Sequence, residues 1–340
     1  MKALVTGGMG FIGSHLTEKL LADGHEVQVI DDLSTGHKEN LAHLECHPRL
    51  TCHIDTIRNK ALMEKLLAEC EVVFHLAAVV GVQAVLQAPL RCIDTNIRGT
   101  DMLLELAHKH DAKVLLASSS EVYGKNLGGP FREEDNRLLG PTTVTRWIYS
   151  TTKAVDECLA LSYWREKQLP VVVMRFFNIV GPRQTARYGM VLPTFVQQAL
   201  ANLPITVYGD GQQIRSFTYV TDAVRAVTSL ATSEGAEGGI FNVGSGEITT
   251  IAGLAERVKT LLESNSNIEF VPYEMAYGDG FEDTQIRIPD ITKLRRQIGY
   301  IPEFRLDDMI HSIADYFRQR KDPAPVPEAA CLEAAPTGED

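Results

Sequence analysis

The feature that most constrains this chain lies in its first two dozen residues. An apolar run from Lys2 to Thr6 enters Thr6-Gly7-Gly8-Met9-Gly10-Phe11-Ile12-Gly13, after which Ile12, Leu16 and Leu20 recur every fourth residue and Gly24 follows. That order predicts a strand, a glycine-rich turn and a helix of about three turns that stops at the glycine. Glycines in a GxxGxxG arrangement permit a tight turn, close approach of backbone to a pyrophosphate, and helix packed on strand, all of which exclude a Cβ. The helix N-terminus then presents unpaired N–H groups and a partial positive charge to an anion.

The same alternation continues. Apolar runs at Glu26 to Ile30, Leu50 to Ile54, Val72 to Leu76, Val114 to Ala117 and Val171 to Arg175 alternate with amphipathic stretches. Continuous apolar strands alternating with helices predict an α/β fold, a doubly wound Rossmann-type parallel sheet. After Arg175 the rhythm is broken by Pro182, Pro193, Pro204 and Gly209 to Gly211, as suits a smaller C-terminal lobe shaping a specific pocket. The expected organisation is a dinucleotide-binding domain over 1–178, to which 217–245 returns, and a substrate lobe from 179–216 and 246–320. The last segment, 321–340, is rich in Pro, Ala and Glu without periodicity and is expected to be disordered.

Composition narrows the partners. With 340 residues and a formal charge of -11, the chain has core enough for a large domain and no cationic surplus for a polyanion, so nucleic acid is not expected. No run reaches the roughly 20 apolar residues of a membrane span, and the N-terminus runs directly into a strand. A cytoplasmic protein without a membrane partner is the expectation. The six cysteines, Cys46, Cys52, Cys70, Cys92, Cys158 and Cys331, form no CxxC pair, and the ten histidines show no HExxH. Free thiols and no metal are expected.

The second strand ends in Ile30-Asp31-Asp32, where a carboxylate can accept hydrogen bonds from an adenosine ribose and repel a 2'-phosphate. With no basic residue before Lys38, NAD is favoured over NADP. Further on, Tyr149 and Lys153 in Tyr149-Ser150-Thr151-Thr152-Lys153 stand four apart on a helical pattern, so about 40° apart on one face. A nearby ammonium and a positive nicotinamide ring would favour the phenolate of a tyrosine that is otherwise a poor base. Ser118-Ser119-Ser120-Glu121-Val122-Tyr123-Gly124 follows the fifth strand, at the carboxyl edge where such sheets bind ligands.

Taken with Phe74-His75-Leu76-Ala77-Ala78, Asn96 in DTNIRGT, Arg175-Phe176-Phe177-Asn178, GDGQQIRSFTYV and Arg287-Ile288-Pro289-Asp290, these motifs resemble the extended short-chain dehydrogenase/reductase family over residues 1 to 320. That family includes nucleotide-sugar epimerases, dehydratases and decarboxylases. The resemblance implies that Gly7, Gly10 and Gly13, with Phe11 and Ile12, cradle the NAD pyrophosphate, that Asp31 and Asp32 serve the ribose, and that Asp55 and Thr56 lie by the adenine. It also implies that Leu76, Ala77 and Ala78 back the cofactor toward the nicotinamide, that Lys153 holds the nicotinamide ribose, and that Asn96 and Tyr149 complete the cofactor set. Asn178 would meet the substrate diphosphate, with Arg215 and Arg287 as a cationic clamp, since guanidiniums bind phosphate oxygens in a planar fork.

The implied first step is oxidation at sugar C4, with Tyr149 as base and Ser119 or Ser120 bonded to the same oxygen. The 4-ketone can then be epimerised, decarboxylated if the sugar is a uronate, or dehydrated. Glu121 stands where simple hexose epimerases of the family carry a small residue and where decarboxylases and dehydratases carry Glu. Arg187, in Arg183-Gln184-Thr185-Ala186-Arg187-Tyr188, is the candidate cation for a sugar carboxylate. The sequence reading places a 4-epimerase on UDP-glucuronate or a related UDP-hexose first and UDP-glucuronate decarboxylase as its alternative. A 4,6-dehydratase, a non-catalytic NAD sensor and a net dehydrogenase stand behind them. A homodimer is implied too, through helices around 95–110 and 146–165, where Leu103, Leu104 and Leu106 exceed what one buried stripe needs.

Overall fold

A computed structural model of the chain describes residues 1–125, 128–185, 190–277 and 282–320. Its centre is a seven-stranded parallel sheet of β1 (Lys2–Thr6), β2 (Glu26–Asp31), β3 (Leu50–Ile54), β4 (Val72–His75), β5 (Lys113–Ser119), β6 (Val171–Phe176) and, from later in the chain, Ile240–Val243. Between β6 and that last strand come β7 (Ile179–Val180), β8 (Ile205–Tyr208), β9 (Ile214–Ser216) and β10 (Thr218–Tyr219), which makes Ile240–Val243 β11. The order across the sheet is β11-β6-β5-β4-β1-β2-β3, so the winding reverses between β1 and β4. Ligands of such sheets sit outside the carboxyl ends of the strands at that reversal.

The strands have the apolar character that burial on both faces demands. β4 is buried throughout and β6 is buried except at Phe176. The sheet divides two cores. One packs Leu16 and Leu20 of the first helix, Phe11–Ala22, and Val224 and Val227 of the helix Val220–Thr232 against Val5, Val29 and Phe74. The other packs Leu103, Leu104 and Leu106 of the helix Gly99–Lys109 against Leu4, Val73, Val114 and Leu116. These three leucines are thus consumed by the chain's own core, at 0%, 0% and 1% exposure. They give no support to a dimer, because both the sheet and the neighbouring helices Lys60–Leu67 and Ile148–Lys167 bury them.

The second lobe completes the strand set with β12 (Ile248–Thr250), β13 (Ile268–Val271) and β14 (Ile286–Arg287). They form the small sheets β12-β9-β14 and β13-β8, while β10 pairs with β7. Helices Val191–Leu200, Ile251–Leu261 and Leu306–Gln319 close a third core around Phe195, Val207, Leu254 and Ile310. A buried polar knot ties the edge of the central sheet to the helix beside it: Arg175 donates to Glu157 at 2.9 and 2.7 Å and to the Tyr123 hydroxyl at 2.9 Å, and Tyr123 donates to Asn242 at 2.7 Å. Arg175 of the RFFN motif is therefore a satisfied structural cation, the only arrangement in which a buried guanidinium is cheap.

Candidate active site

The cofactor end begins at the turn after β1. Gly7 sits at φ +70°, and a Cβ there would fall 3.0 Å from the Ala77 amide nitrogen. A Cβ on Gly13 would come within 2.1 Å of the Gly7 carbonyl oxygen, well inside contact distance. Gly10 caps the helix Phe11–Ala22 without any side-chain hydrogen bond. Bare backbone and a helix N-terminus therefore face one end of a cavity of about 1000 Å³ that Gly7, Gly10, Phe11, Ile12 and Gly13 line. The cradle has room only for an unsubstituted backbone, which fits a dinucleotide pyrophosphate.

At the end of β2, Asp31 accepts hydrogen bonds from the Met9 and Leu33 N–H groups at 2.9 and 2.8 Å. Burial raises its pKa and those donors oppose the rise. The carboxylate is fixed in place and, with Asp32, lines the cavity with acceptor capacity to spare. One cation escaped the sequence reading here: Arg91, far away in the chain, lies 3.5 Å from Asp32. Asp55 accepts from the Thr56 N–H and the Asn59 amide, both at 2.7 Å, and Asp55 and Thr56 line the wall. Leu76, Ala77 and Ala78 line it from the end of β4. Asn96 stands behind that wall at 1% exposure, accepting from Val79 N–H at 2.9 Å and donating to Thr152 at 3.1 Å. It pins the segment after Ala78 in position.

The part of the cavity expected to hold the reacting groups is assembled by β5 and the helix Ile148–Lys167. Ser119 ends β5, Ser120 and Glu121 open a single 3-10 turn, and Ser119 accepts from the Glu121 N–H at 3.2 Å. The Ser150 hydroxyl donates to the Glu121 carbonyl at 2.7 Å, which locks the helix carrying Tyr149 and Lys153 to that turn. Lys153, 3% exposed, donates to the Ala117 carbonyl at 3.0 Å. Ser119, Ser120, Glu121, Tyr149 and Lys153 all line the cavity. Burial, and next the negative charge of Glu121, push the Tyr149 phenol well above its ordinary value, against a smaller opposing effect of the Ser119 hydroxyl. The depressed value anticipated from Lys153 is not what the polypeptide alone produces, because burial and the Glu121 charge raise it.

Glu121 is the centre of an ionic cluster in the cavity wall. Its carboxylate takes a fork of hydrogen bonds from Arg146, at 2.6 and 3.2 Å, and an ion pair from Arg287 at 2.6 Å. Burial alone would raise its pKa, but the two guanidiniums outweigh that and hold it at about 2. Arg215 and Arg287 are register partners across β9 and β14, so strand pairing places the expected clamp side by side. Arg215 donates to Asp283 at 3.0 Å; burial and the like charge of Arg287 bring its pKa down to about 10, still cationic at neutral pH. Asn178 donates to the Ser216 carbonyl at 2.8 Å and lines the same cavity. Among the described residues, the guanidiniums of Arg146, Arg215 and Arg287 thus meet the carboxylates of Glu121 and Asp283.

Arg146 and Asp283 were not singled out from the sequence. The available signal was that Arg146 immediately precedes a long helix, where a cation opposes the dipole and so needs an anion of its own. Arg187 and 321–340, with Cys331, lie outside the described residues. Cys46, Cys52, Cys70, Cys92 and Cys158 are free thiols. Among the described residues no group of His, Cys, Asp and Glu is arranged to hold a metal ion, and no helix is long and apolar enough to cross a membrane.

Residues 3–244 match the model of the NAD dependent epimerase/dehydratase family. The chain is 40% identical over 323 residues to a UDP-N-acetyl-alpha-D-glucosaminuronate decarboxylase of Bacillus cytotoxicus, covering 94% of this chain and 98% of that protein. It is 38% identical over 320 residues to UDP-glucuronic acid decarboxylase 1 of Arabidopsis thaliana, covering 94% and 70%. Among solved structures, UDP-glucuronic acid 4-epimerase from Bacillus cereus, in complex with UDP-glucuronic acid and NAD, superposes with a TM-score of 0.84 at 29% identity, covering 94% of this chain and 99% of that one.

Proposed function

This chain belongs to the NAD dependent epimerase/dehydratase family and uses NAD, and on that footing we propose that it decarboxylates a UDP-linked hexuronate. The order drawn from sequence, epimerase before decarboxylase, is thereby reversed. What carries the proposal is the buried fork between Arg146 and Glu121, tied on its other side to Arg287. A 4-epimerase must let its keto-sugar turn over before reduction, whereas a decarboxylase needs the ring held still and an anionic C6 group balanced. A buried wall of interlocked ions, rich in guanidiniums, supports the second requirement. The decarboxylases at 40% and 38% identity support it as well.

Bound NAD would supply the hydride acceptor and donor for sugar C4. Tyr149 takes the C4 hydroxyl proton while Ser119 or Ser120 holds that oxygen, and Lys153 fixes the cofactor side. With C4 a ketone, the C6 carboxylate is β to it. The C5–C6 bond then breaks, its electron pair passes to the C4 oxygen as an enolate, and CO2 leaves. C5 takes up a proton and the ketone re-forms. Arg215 and Arg287, with Asn178, would receive the diphosphate, and Arg146 would balance the uronate carboxylate, the task first given to Arg187. Homodimerisation belongs to the same reading, with exposed Leu90 and Ile93 as the supporting apolar surface; a monomer by light scattering would remove it.

The test is release of labelled CO2 from UDP-glucuronate and UDP-N-acetylglucosaminuronate carrying a labelled carboxyl group. Stoichiometric CO2 from either substrate is expected. A new isomer with the label retained would restore the epimerase.

A further inference from the structure

One buried carboxylate beside the reacting pair has no part in the chemistry above. Asp156 follows Lys153 by three residues on the helix Ile148–Lys167, is fully buried, and places Oδ2 3.3 Å from the Lys153 ammonium. An ammonium has three donors in fixed tetrahedral directions. Two of them are engaged, by the Ala117 carbonyl at 3.0 Å and by Asp156, which leaves one for a ligand in the cavity that Lys153 lines. A buried charge without a positive partner is costly, so Asp156 has no reason to be retained as an anion there except through Lys153.

Resting on the assignment of Tyr149 and Lys153 as the acid-base pair, we infer that Asp156 is a positioning residue. It aims the Lys153 ammonium and offsets the positive charge that Tyr149 faces. The groups packed around it support this. On its own helix, Glu157 is taken up by Arg175 and Ser118, and Tyr149 stands at the cavity. From the helix Gly99–Lys109 comes the Thr100 hydroxyl, and from Pro89–Ile93 the Cys92 thiol. From β4 comes His75, held between Thr6 at 2.8 Å and Thr100 at 3.0 Å. Lys153 is the cation among them. Burial raises the Asp156 pKa to about 6, with Lys153 and then Thr100 pulling it back, so the carboxylate is ionised at neutral pH and responds to its surroundings just below.

The test uses the NAD-loaded enzyme in a single turnover with a UDP-hexuronate, following reduced nicotinamide as a function of pH. In Asp156→Asn the tyrosine faces an ammonium no longer offset, so the acidic limb should move to lower pH by about one unit, as for loss of a neighbouring buried charge. Should Asp156→Asn fail to fold, Asp156→Ser removes the same charge in less volume and is expected to move the limb the same way. An unmoved limb, or one displaced to higher pH, with only a lowered Tm, would reduce Asp156 to a structural residue and overturn the inference while leaving the proposed reaction intact. A wild-type enzyme that forms no reduced nicotinamide with any UDP-hexuronate would overturn both.

Discussion

Arg146 reaches Glu121 with two guanidinium nitrogens, at 2.6 and 3.2 Å, from a position three residues before Tyr149. Both side chains are almost without exposure, 4% and 11%. Truncating one partner of such a pair leaves the other charge buried and costs about 3–5 kcal/mol. Arg287 still holds Glu121 at 2.6 Å, so Arg146→Ala should fall near the lower end, about 3 kcal/mol by denaturant titration. CO2 release should drop by at least roughly 100-fold with NAD retention unchanged, since a lost oriented donor in a desolvated site costs about that much. Activity close to wild type would detach the fork from the chemistry.

The cofactor cradle makes a steric prediction. Gly13→Ala would drive a Cβ to 2.1 Å from the Gly7 carbonyl, which can be relieved only by moving the turn itself. Overpacking of this kind costs roughly 1–3 kcal/mol, and the displaced backbone no longer matches a pyrophosphate. The purified variant should lack NAD on release by acid and show a lower Tm; full NAD occupancy would contradict the assignment of this turn.

Much of that cradle was legible in the sequence, because a glycine spacing, an apolar run and a four-residue periodicity are local signals. Asp31 at the end of β2 was legible for the same reason. The ionic cluster around Glu121 was less so. Arg146 and Glu121 are 25 residues apart and meet only through tertiary folding, Asp283 reaches them from the second lobe, and nothing near Asp283 in the chain announces a partner at Arg215. Leu103, Leu104 and Leu106 misled for the converse reason: three leucines in four residues read as more than one buried stripe, but a helix wedged between a sheet and two other helices buries all three. The phenol of Tyr149 was expected to be eased by Lys153, and the extent of its burial, a tertiary quantity, reverses that.

His75 provides a stability prediction with a definite sign. Burial, and then the charge of Lys153, lower its pKa from 6.5 to about 3 in the folded chain. The unfolded chain therefore binds the extra proton first as pH falls. The stabilisation is complete above pH 6.5 and is lost as pH falls through that value toward 3. His75→Gln should flatten this part of the unfolding free-energy profile, measured by urea titration at successive pH values. An unchanged slope would mean that His75 is protonated in the native state.

Tyr149→Phe removes the proton acceptor while keeping the aromatic bulk. Reduction of bound NAD by a UDP-hexuronate should slow by roughly 10²–10⁴-fold with the fold and NAD content preserved. A loss smaller than tenfold would assign the proton to another group.

The central claim is the fate of C5, and turnover of a UDP-hexuronate in D2O tests it most directly. If CO2 leaves and C5 is reprotonated, the product is a UDP-pentose derivative lacking the carboxyl carbon, with one deuterium from solvent at C5 and the original hydrogen still at C4. A product of unchanged mass with inverted C4 and no deuterium at C5 would contradict decarboxylation and identify the enzyme as an epimerase.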